Sequence, residues 1–442
     1  MYRKALQELQ NWKNNPAKKP LVIRGARQVG KTWLMKEFGK TAYTETVYLN
    51  FDAEKSAGAI FSGDITPQTI IEGLEIISGK KILPETTLII LDEIQEVPRA
   101  LSSLKYFAED APEYHIICAG SLLGVALHEG TSFPVGKVSF LDLYPLSFAE
   151  FIHALGEEGL YHLLKKHSPE VLTPFKEKYI SLLRLYYFIG GMPEAVLSYA
   201  EKRDLGEVRA IQRQILDSYE QDFSKHAPAS VVPKIRMLWN SIPSQLAKEN
   251  KKFIYGVVRE GARAKEYEQA LLWLIDCGLV FKVPRVTVPK VPLKAYEDLK
   301  AFKLYLRDTG LLSCMVSLDA ATLLNGNALF AEFKGALTEQ YVLTQMQHSA
   351  IYYWTNEKGT AEVDFLIELE GGAVPLEVKA ETNLQAKSLK VFAEKYSPKV
   401  SLRLSMADYQ DNGHLINIPL YAAGTIAEYL AKKKIRGFLT TS

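Results

Sequence analysis

The sequence predicts an α/β protein built in several parts, and three observations carry that prediction. Its 442 residues exceed a single core, since domains average about 150 residues and roughly three are expected. Over the first third, short continuous apolar runs alternate with helical stretches, the pattern of strands covered on both faces in a parallel sheet. Towards the C-terminus a second group of strand patterns appears, there with polar and apolar residues alternating. Hydrophobic residues make up 47% and charged residues 24%, a globular composition that excludes a mostly disordered or fibrous chain.

Taken in order, Leu6, Leu9 and Trp12 fall at helical spacing and Pro16 ends that helix. Strands are expected from Pro20 to Arg24, Val47 to Phe51, Leu88 to Leu91 and Ile116 to Cys118, giving an α/β domain over residues 1–145. From Pro145 to Ala227 the pattern is helical and rich in Leu, Tyr and Phe, broken at Gly190-Gly191-Met192-Pro193, so 146–230 reads as a helical lid or connector. Residues 231–312 read as helices followed by strands at Val280–Val283 and Lys303–Leu306, a winged-helix-like order. The remainder, 313–442, reads as helix, strands at Ile351–Trp354, Val363–Leu369 and Val374–Lys379, then helix and strand. Lys432-Lys433-Lys434 reads as the solvated face of a tail helix.

Lys plus Arg total 53 against 51 Asp plus Glu, a net charge of +2. No whole-molecule field argues for nucleic acid or membrane, so any basic surface is local. Cys118, Cys277 and Cys314 are widely spaced without a CxxC pair, which suits a reducing compartment. The longest uncharged apolar-rich run, Ile116 to Leu127, falls short of the roughly 18 residues a span needs. The expectation is a cytoplasmic protein with no membrane partner.

Gly25-Ala26-Arg27-Gln28-Val29-Gly30-Lys31-Thr32 matches GxxxxGK[ST] directly after a strand, with Trp33 continuing into a helix from Thr32 to Phe38. The glycines let backbone N–H groups curl around phosphate oxygens, the helix N-terminus adds its positive end, and Lys31 reaches the β and γ phosphates. These nine residues are the candidate ATP cradle, and Thr32 the candidate Mg²⁺ ligand. A second carboxylate must come from a neighbouring buried strand. Leu88-Ile-Ile-Leu91 followed by Asp92-Glu93 supplies it, with Asp92 on the metal side and Glu93 polarising the attacking water. Ser121, after the strand His115–Ala119, is a candidate γ-phosphate sensor; a simple turn is the other reading.

Near the C-terminus, Glu362 to Glu370 and Ala373 to Lys379 form two strand patterns joined by Gly371-Gly372, which predicts a hairpin. If Glu370 pairs with Ala373, Asp364 faces Lys379 with Glu377 diagonal to it, so all three share one face. That is the geometry of a carboxylate pair for a divalent metal beside an activating lysine. Glu339 falls among Ala336, Val342, Leu343 and Met346 on the preceding helix, and a carboxylate on an apolar stripe calls for a partner or a metal. An ordinary charged hairpin face is the alternative.

The segments Arg24–Thr32, Leu91-Asp-Glu-Ile-Gln95, Ala119-Gly-Ser121, Leu143-Tyr-Pro-Leu-Ser-Phe148 and Gly190-Gly-Met-Pro-Glu-Ala-Val196 resemble prokaryotic AAA+-like P-loop ATPases that carry a nuclease-like C-terminal domain of unknown function. The resemblance implies an AAA+-like ATPase domain, ATP and Mg²⁺ as cofactors, and a homo-oligomer. In that family an arginine after the glycine preceding the PLSF segment is a candidate finger; here Gly136 is followed by Lys137, which lacks the planar fork. Helix, hairpin and Glu-Val-Lys resemble the PD-(D/E)XK restriction-endonuclease-like superfamily. That likeness implies Glu339, Asp364 and Glu377 as metal ligands and Lys379 beside them.

The segment Gly261–Gly278 reads as a helix with Tyr267, Leu271 and Leu274 inward, presenting Arg263 and Lys265. A winged helix would turn these to DNA or RNA. Lys248, Lys251, Lys252 and Arg259 add local charge, Glu266 and Glu268 oppose it, and packing between domains is the other reading. The functional expectation is an ATP hydrolase coupled to the C-terminal region. Its alternatives are a nucleotide-dependent switch with an inactive nuclease-like domain, and a metal-dependent nuclease regulated by ATP.

Overall fold

The computed structural model describes residues 1–120, 134–166, 168–248, 251–325, 331–346, 350–356, 359–369, 372–382 and 387–439. Two compact units emerge. One comprises Met1–Tyr144 with Leu272–Leu279, the other Pro145–Leu271 with Val280–Ser442.

The first unit holds strands β1 (Leu21–Arg24), β2 (Glu45–Asn50), β3 (Thr87–Asp92), β4 (His115–Ala119) and β5 (Ser139–Asp142) in the order β2-β3-β4-β1-β5. Every pairing in it is parallel, with Leu91 opposite Cys118, Cys118 opposite Val22 and Ile23 opposite Leu141. All six residues of β3 are buried, as its continuous apolar run requires. Val22, Leu49, Ile89, Leu104 and Ile116 share one core cluster. β5 has no counterpart among the strands expected from sequence. It lies at the sheet edge with Phe140 exposed and Leu141 buried, and four residues with one wet face carry little apolar signal. Because β1 and β3 run parallel on either side of β4, their C-terminal ends open on the same edge. That edge receives the loop leaving β1 and the acids ending β3, as in other open α/β sheets.

The second unit starts with the helices expected over its first part: Phe148–Ala154, Glu158–Leu164, Lys176–Ile189, Pro193–Lys202 and Leu205–His226. Ser147 caps the first of them in a capping box with Glu150. The PLSF and GGMP segments meet here. Leu146 N–H donates to Gly191 O (2.7 Å), and a Cβ on Gly191 would lie 2.1 Å from Leu146 O, so only glycine fits. Asp308 accepts from Gly191 N–H (2.6 Å) and Leu311 N–H (2.8 Å), fastening that turn to the helix Thr309–Met315.

Helices Val232–Leu246 and Ala264–Asp276 precede β6 (Val280–Val286) and β7 (Glu297–Leu306), an antiparallel pair. With β8 (Ile351–Thr355), β9 (Glu362–Leu369), β10 (Gly372–Val378), β11 (Ser401–Ser405), β12 (Gln410–Asp411) and β13 (Leu415–Pro419) they form one sheet ordered β12-β13-β11-β10-β9-β8-β6-β7. The join is parallel pairing of β6 with β8 through Arg285–Tyr353 and Val286–Trp354, so one sheet holds strands from both sides of residue 312.

The β9–β10 hairpin forms with Val374, Leu376 and Val378 buried, but its register differs from the expected one. Gly372 pairs with Leu369 and Leu376 with Phe365, two residues out of step with a pairing of Glu370 and Ala373. Continued inwards, this register puts Asp364 opposite Glu377, not opposite Lys379. Because the offset is even, each side chain keeps its face.

Candidate functional site

The turn after β1 has the backbone a phosphate cradle needs. Gly25 has φ +149°, Gln28 φ +67° and Gly30 φ +91°, and a Cβ on Gly25 would lie 2.2 Å from Leu143 O. Gly30 directly precedes the helix Lys31–Ala42, so that helix's unpaired N–H groups face the loop. Arg3, which the sequence reading passed over, donates to Val29 O (3.1 Å) and Tyr144 O (2.6 Å) from a buried position. Trp33 is 38% exposed on the helix's first turn.

Lys31 is buried, and Nζ donates to Gly25 O (2.9 Å) and Ala26 O (2.8 Å). Burial lowers its pKa to about 8; Glu93 and Asp92 oppose that shift, and Arg27 adds to it. Asp92, only 1% exposed, accepts from Thr32 Oγ1 (2.6 Å) and Tyr48 OH (3.0 Å) at Oδ2, and from Glu93 N–H (3.1 Å) at Oδ1. Asn50 Nδ2 donates in turn to Tyr48 OH (3.3 Å). Tyr48 and Asn50 were missed from sequence, although both alternate with the buried Val47 and Leu49 at the end of β2. Glu93 has left-handed backbone, φ +51°, a costly conformation for a non-glycine residue that clusters at functional sites. Its Oε2 accepts from Gln95 Nε2 (2.8 Å). Thr32 and Asp92 are thus placed to share a Mg²⁺ ion, with Lys31 over the loop and Glu93 next in line.

The second constellation lies in the other unit. Glu339, on the helix Ala331–Gln345, is buried with both oxygens engaged: Oε1 on Lys251 Nζ (2.6 Å) and Oε2 accepting from Tyr305 OH (2.9 Å). Lys303 is fully buried, ion-paired with Glu362 Oε1 (2.5 Å) and 3.9 Å from Glu339 Oε2. Lys379 Nζ pairs with Glu377 Oε1 (2.7 Å), and Asp364 Oδ2 accepts from Val378 N–H (2.8 Å). Burial, then the charges of Glu339 and Glu377, raise the Asp364 pKa well above the usual carboxylate range. Burial also raises Glu377. For Glu339 burial acts the same way, but Lys251 and Lys303 outweigh it and hold its pKa below the ordinary value. Among the described residues no group of three His, Cys, Asp or Glu side chains is arranged to hold a metal ion.

Comparison with known proteins bears chiefly on the first constellation. Residues 17–152 match the family model of the AAA domain. The loop Gly25–Thr32 and the acids Asp92 and Glu93 all lie within that match. Residues 180–322 and 334–421 each match a domain of unknown function (DUF8612 and DUF4143). Two uncharacterized proteins, from Mycobacterium bovis and Mycobacterium tuberculosis, are each 24% identical over 366 residues, covering 81% of this chain and 70% of theirs. Among solved structures, a Walker-type ATPase of Pyrococcus abyssi aligns at 14% identity over 71% of this chain and 95% of that one, with a TM-score of 0.44. The Aeropyrum pernix ORC1 protein in complex with DNA aligns at 16% identity over 72% and 92%, with a TM-score of 0.29.

Within residues 17–152, Lys137 is ion-paired with Glu109 (2.8 Å), and Ser121 lies outside the described residues. Arg263, just before the helix Ala264–Asp276, and Lys265 on it are exposed, while Tyr267, Leu271 and Leu274 of that helix are buried. Lys251, expected to add to a basic surface, instead turns inward to Glu339, because a buried carboxylate needs a counter-charge. Lys303, Tyr305 and Glu362 were not singled out from sequence. The available signal was a lone lysine in the apolar stretch Ala301-Phe-Lys-Leu-Tyr-Leu306. No helix among the described residues is long and apolar enough to cross a membrane.

Proposed function

We propose that this protein binds ATP with Mg²⁺ at the AAA domain and hydrolyses it, and that nucleotide state controls the C-terminal region. The observation that carries this reading is the Thr32 Oγ1 to Asp92 Oδ2 hydrogen bond of 2.6 Å. It joins the end of the P-loop to the end of β3 at the two groups that Mg²⁺ chemistry requires. Gly25 to Thr32 wrap the phosphates with backbone N–H groups, and Trp33 borders them. Lys31 redirects its ammonium from the Gly25 and Ala26 carbonyls to the terminal phosphates, stronger acceptors because they are charged. Bound Mg²⁺ supplies neutralisation of the β and γ phosphate oxygens. Asp92 is oriented by Thr32, Tyr48 and its neighbour's N–H, and Glu93 takes the proton of the attacking water while Gln95 fixes its carboxylate.

The test is ATP turnover with Mg²⁺. Lys31→Ala is expected to lose ATP binding. Glu93→Gln is expected to keep binding and lose about 10²–10⁴-fold in turnover, the usual contribution of a general base. Absence of Mg²⁺-dependent turnover together with unchanged ATP affinity in Lys31→Ala refutes the reading.

A second reading, a slow nucleotide switch, is favoured by Lys137. Its ammonium is held by Glu109 and lacks the fork with which an arginine finger stabilises phosphoryl transfer. Tight nucleotide retention with little turnover distinguishes it. In the same proposal residues 146–230 act as a lid, 231–312 as a winged-helix-like connector and 313–442 as a nuclease-like domain. Arg263 and Lys265 are the candidate contacts to DNA or RNA, and stimulation of turnover by either, or by self-association, names the partner.

A further inference from the structure

The resemblance of the C-terminal region to metal-dependent nucleases implies a divalent cation held by Glu339, Asp364 and Glu377. The side chains present do not fit one. Glu339 has no oxygen to offer, since Lys251 Nζ occupies Oε1 at 2.6 Å while Tyr305 OH donates to Oε2 at 2.9 Å. Lys303, with 0% of its side chain exposed, places a second ammonium 3.9 Å from Glu339 and 2.5 Å from Glu362. Lys379 places a third on Glu377 at 2.7 Å.

We infer that Lys303 and Lys251 stand in for the metal: the cluster is an ion-pair core neutralised from within the chain, and it takes up no catalytic divalent cation. Four carboxyl groups, Glu339, Glu362, Asp364 and Glu377, face three ammonium groups, leaving at most one negative charge to draw a cation. A doubly charged ion added among them meets like charges that cannot retreat into water, because Lys303 is fully enclosed. The lysines come from elements outside the helix and hairpin. Lys303 is on β7, and Lys251 lies before the short helix Tyr255–Val258, where its neighbour Lys252 bridges to Lys303. The cation is thus delivered by the same β6–β7 pair that extends the sheet past β8. Glu377 Oε2 is buried with no hydrogen-bond partner among the described residues, and Glu377→Gln tests whether it takes a metal.

The experiment is a Mn²⁺ titration of the nucleotide-free full chain followed by electron paramagnetic resonance, with Asp364→Asn and Glu377→Gln as controls. Metal held weakly at the P-loop is insensitive to either substitution and drops out of the comparison. The native chain is expected to show no Asp364-dependent site tighter than about 1 mM, the weak end of the affinity scale. Lys303→Met removes the enclosed ammonium and leaves Glu362 and Glu339 without it. It is expected to gain an Asp364-dependent Mn²⁺ site roughly tenfold tighter, within the range that groups around a metal contribute. Lys251→Met, at a position 14% exposed, makes the same test with less disturbance should Lys303→Met fail to fold. A native site tighter than about 1 mM that disappears in Asp364→Asn and Glu377→Gln overturns the inference. So does a folded lysine variant that gains no Mn²⁺. The result is independent of ATP turnover, so the nucleotide reading stands or falls separately.

Discussion

Removing one hydroxyl, Tyr48→Phe, is expected to raise the Mg²⁺ concentration needed to support ATP binding by roughly tenfold, with affinity in the absence of Mg²⁺ unchanged. Tyr48 OH donates to Asp92 Oδ2 at 3.0 Å, and the same oxygen accepts from Thr32 Oγ1 at 2.6 Å. Once Thr32 turns its oxygen towards a cation, Tyr48 and the Glu93 N–H remain to hold the carboxylate. A hydrogen bond to a charged group contributes about 1.5–3 kcal/mol. Tyr48 is half-buried, so the lower end applies, and about 1.4 kcal/mol corresponds to tenfold in affinity. The ring is retained, and with it the packing of Lys36 Nζ 3.7 Å from its centre, so the fold has no cause to change. Asn50 loses an acceptor but at a partly exposed position where water replaces it. The assay is binding of a fluorescent ATP analogue at graded Mg²⁺ and in chelator, beside Asp92→Asn. If Asp92→Asn shifts the Mg²⁺ midpoint and Tyr48→Phe does not, the orienting role assigned to Tyr48 is wrong.

Three further outcomes follow from the same geometry. Gly25→Ala puts a Cβ 2.2 Å from Leu143 O at φ +149°; it is expected to abolish nucleotide binding, and retained affinity in equilibrium dialysis contradicts the loop's assigned shape. Lys31 loses its proton near pH 8 when folded instead of at 10.5, so Mg²⁺-free ATP affinity is expected to fall as pH rises through about 8. Lys31→Arg, charged at every accessible pH, removes that dependence without necessarily restoring full affinity. Burial pushes the Asp308 carboxyl up to about 6 from 3.8. Its folded form therefore binds a proton before the unfolded chain does, and this group adds stability as pH falls from about 6 towards 4 and withdraws it above 6. The shift of about two units is worth about 3 kcal/mol. Melting curves between pH 4.5 and 7 should show that slope in the native chain and lose it in Asp308→Asn; identical slopes would contradict it.

What could be read from sequence, and what could not, divides by distance along the chain. Gly25 to Thr32 declare themselves because the loop, its lysine and its hydroxyl are contiguous, and β3 announces Asp92 by an unbroken apolar run. Edge strand β5 has only Leu141 fully committed to the core, and a four-residue pattern with a wet face resembles a loop. The β9–β10 register slipped because two adjacent glycines offer two turn positions, and only packing selects between them. Lys251 looked like surface charge because its partner Glu339 lies 88 residues on, beyond any local periodicity.

The same distinction explains how one chain treats its buried acids in two ways. Asp92 is surrounded by neutral donors, two hydroxyls and a backbone N–H, which orient a carboxylate without pairing a charge to it directly; Lys31 acts on it only through space. Such a site stays attractive to a cation. Glu339 is met directly by Lys251 at 2.6 Å, with the charge of Lys303 at 3.9 Å. Acid spacing alone predicts metal at both. The discriminating feature is whether the nearest donors carry charge, and a motif that records only the acids passes over it.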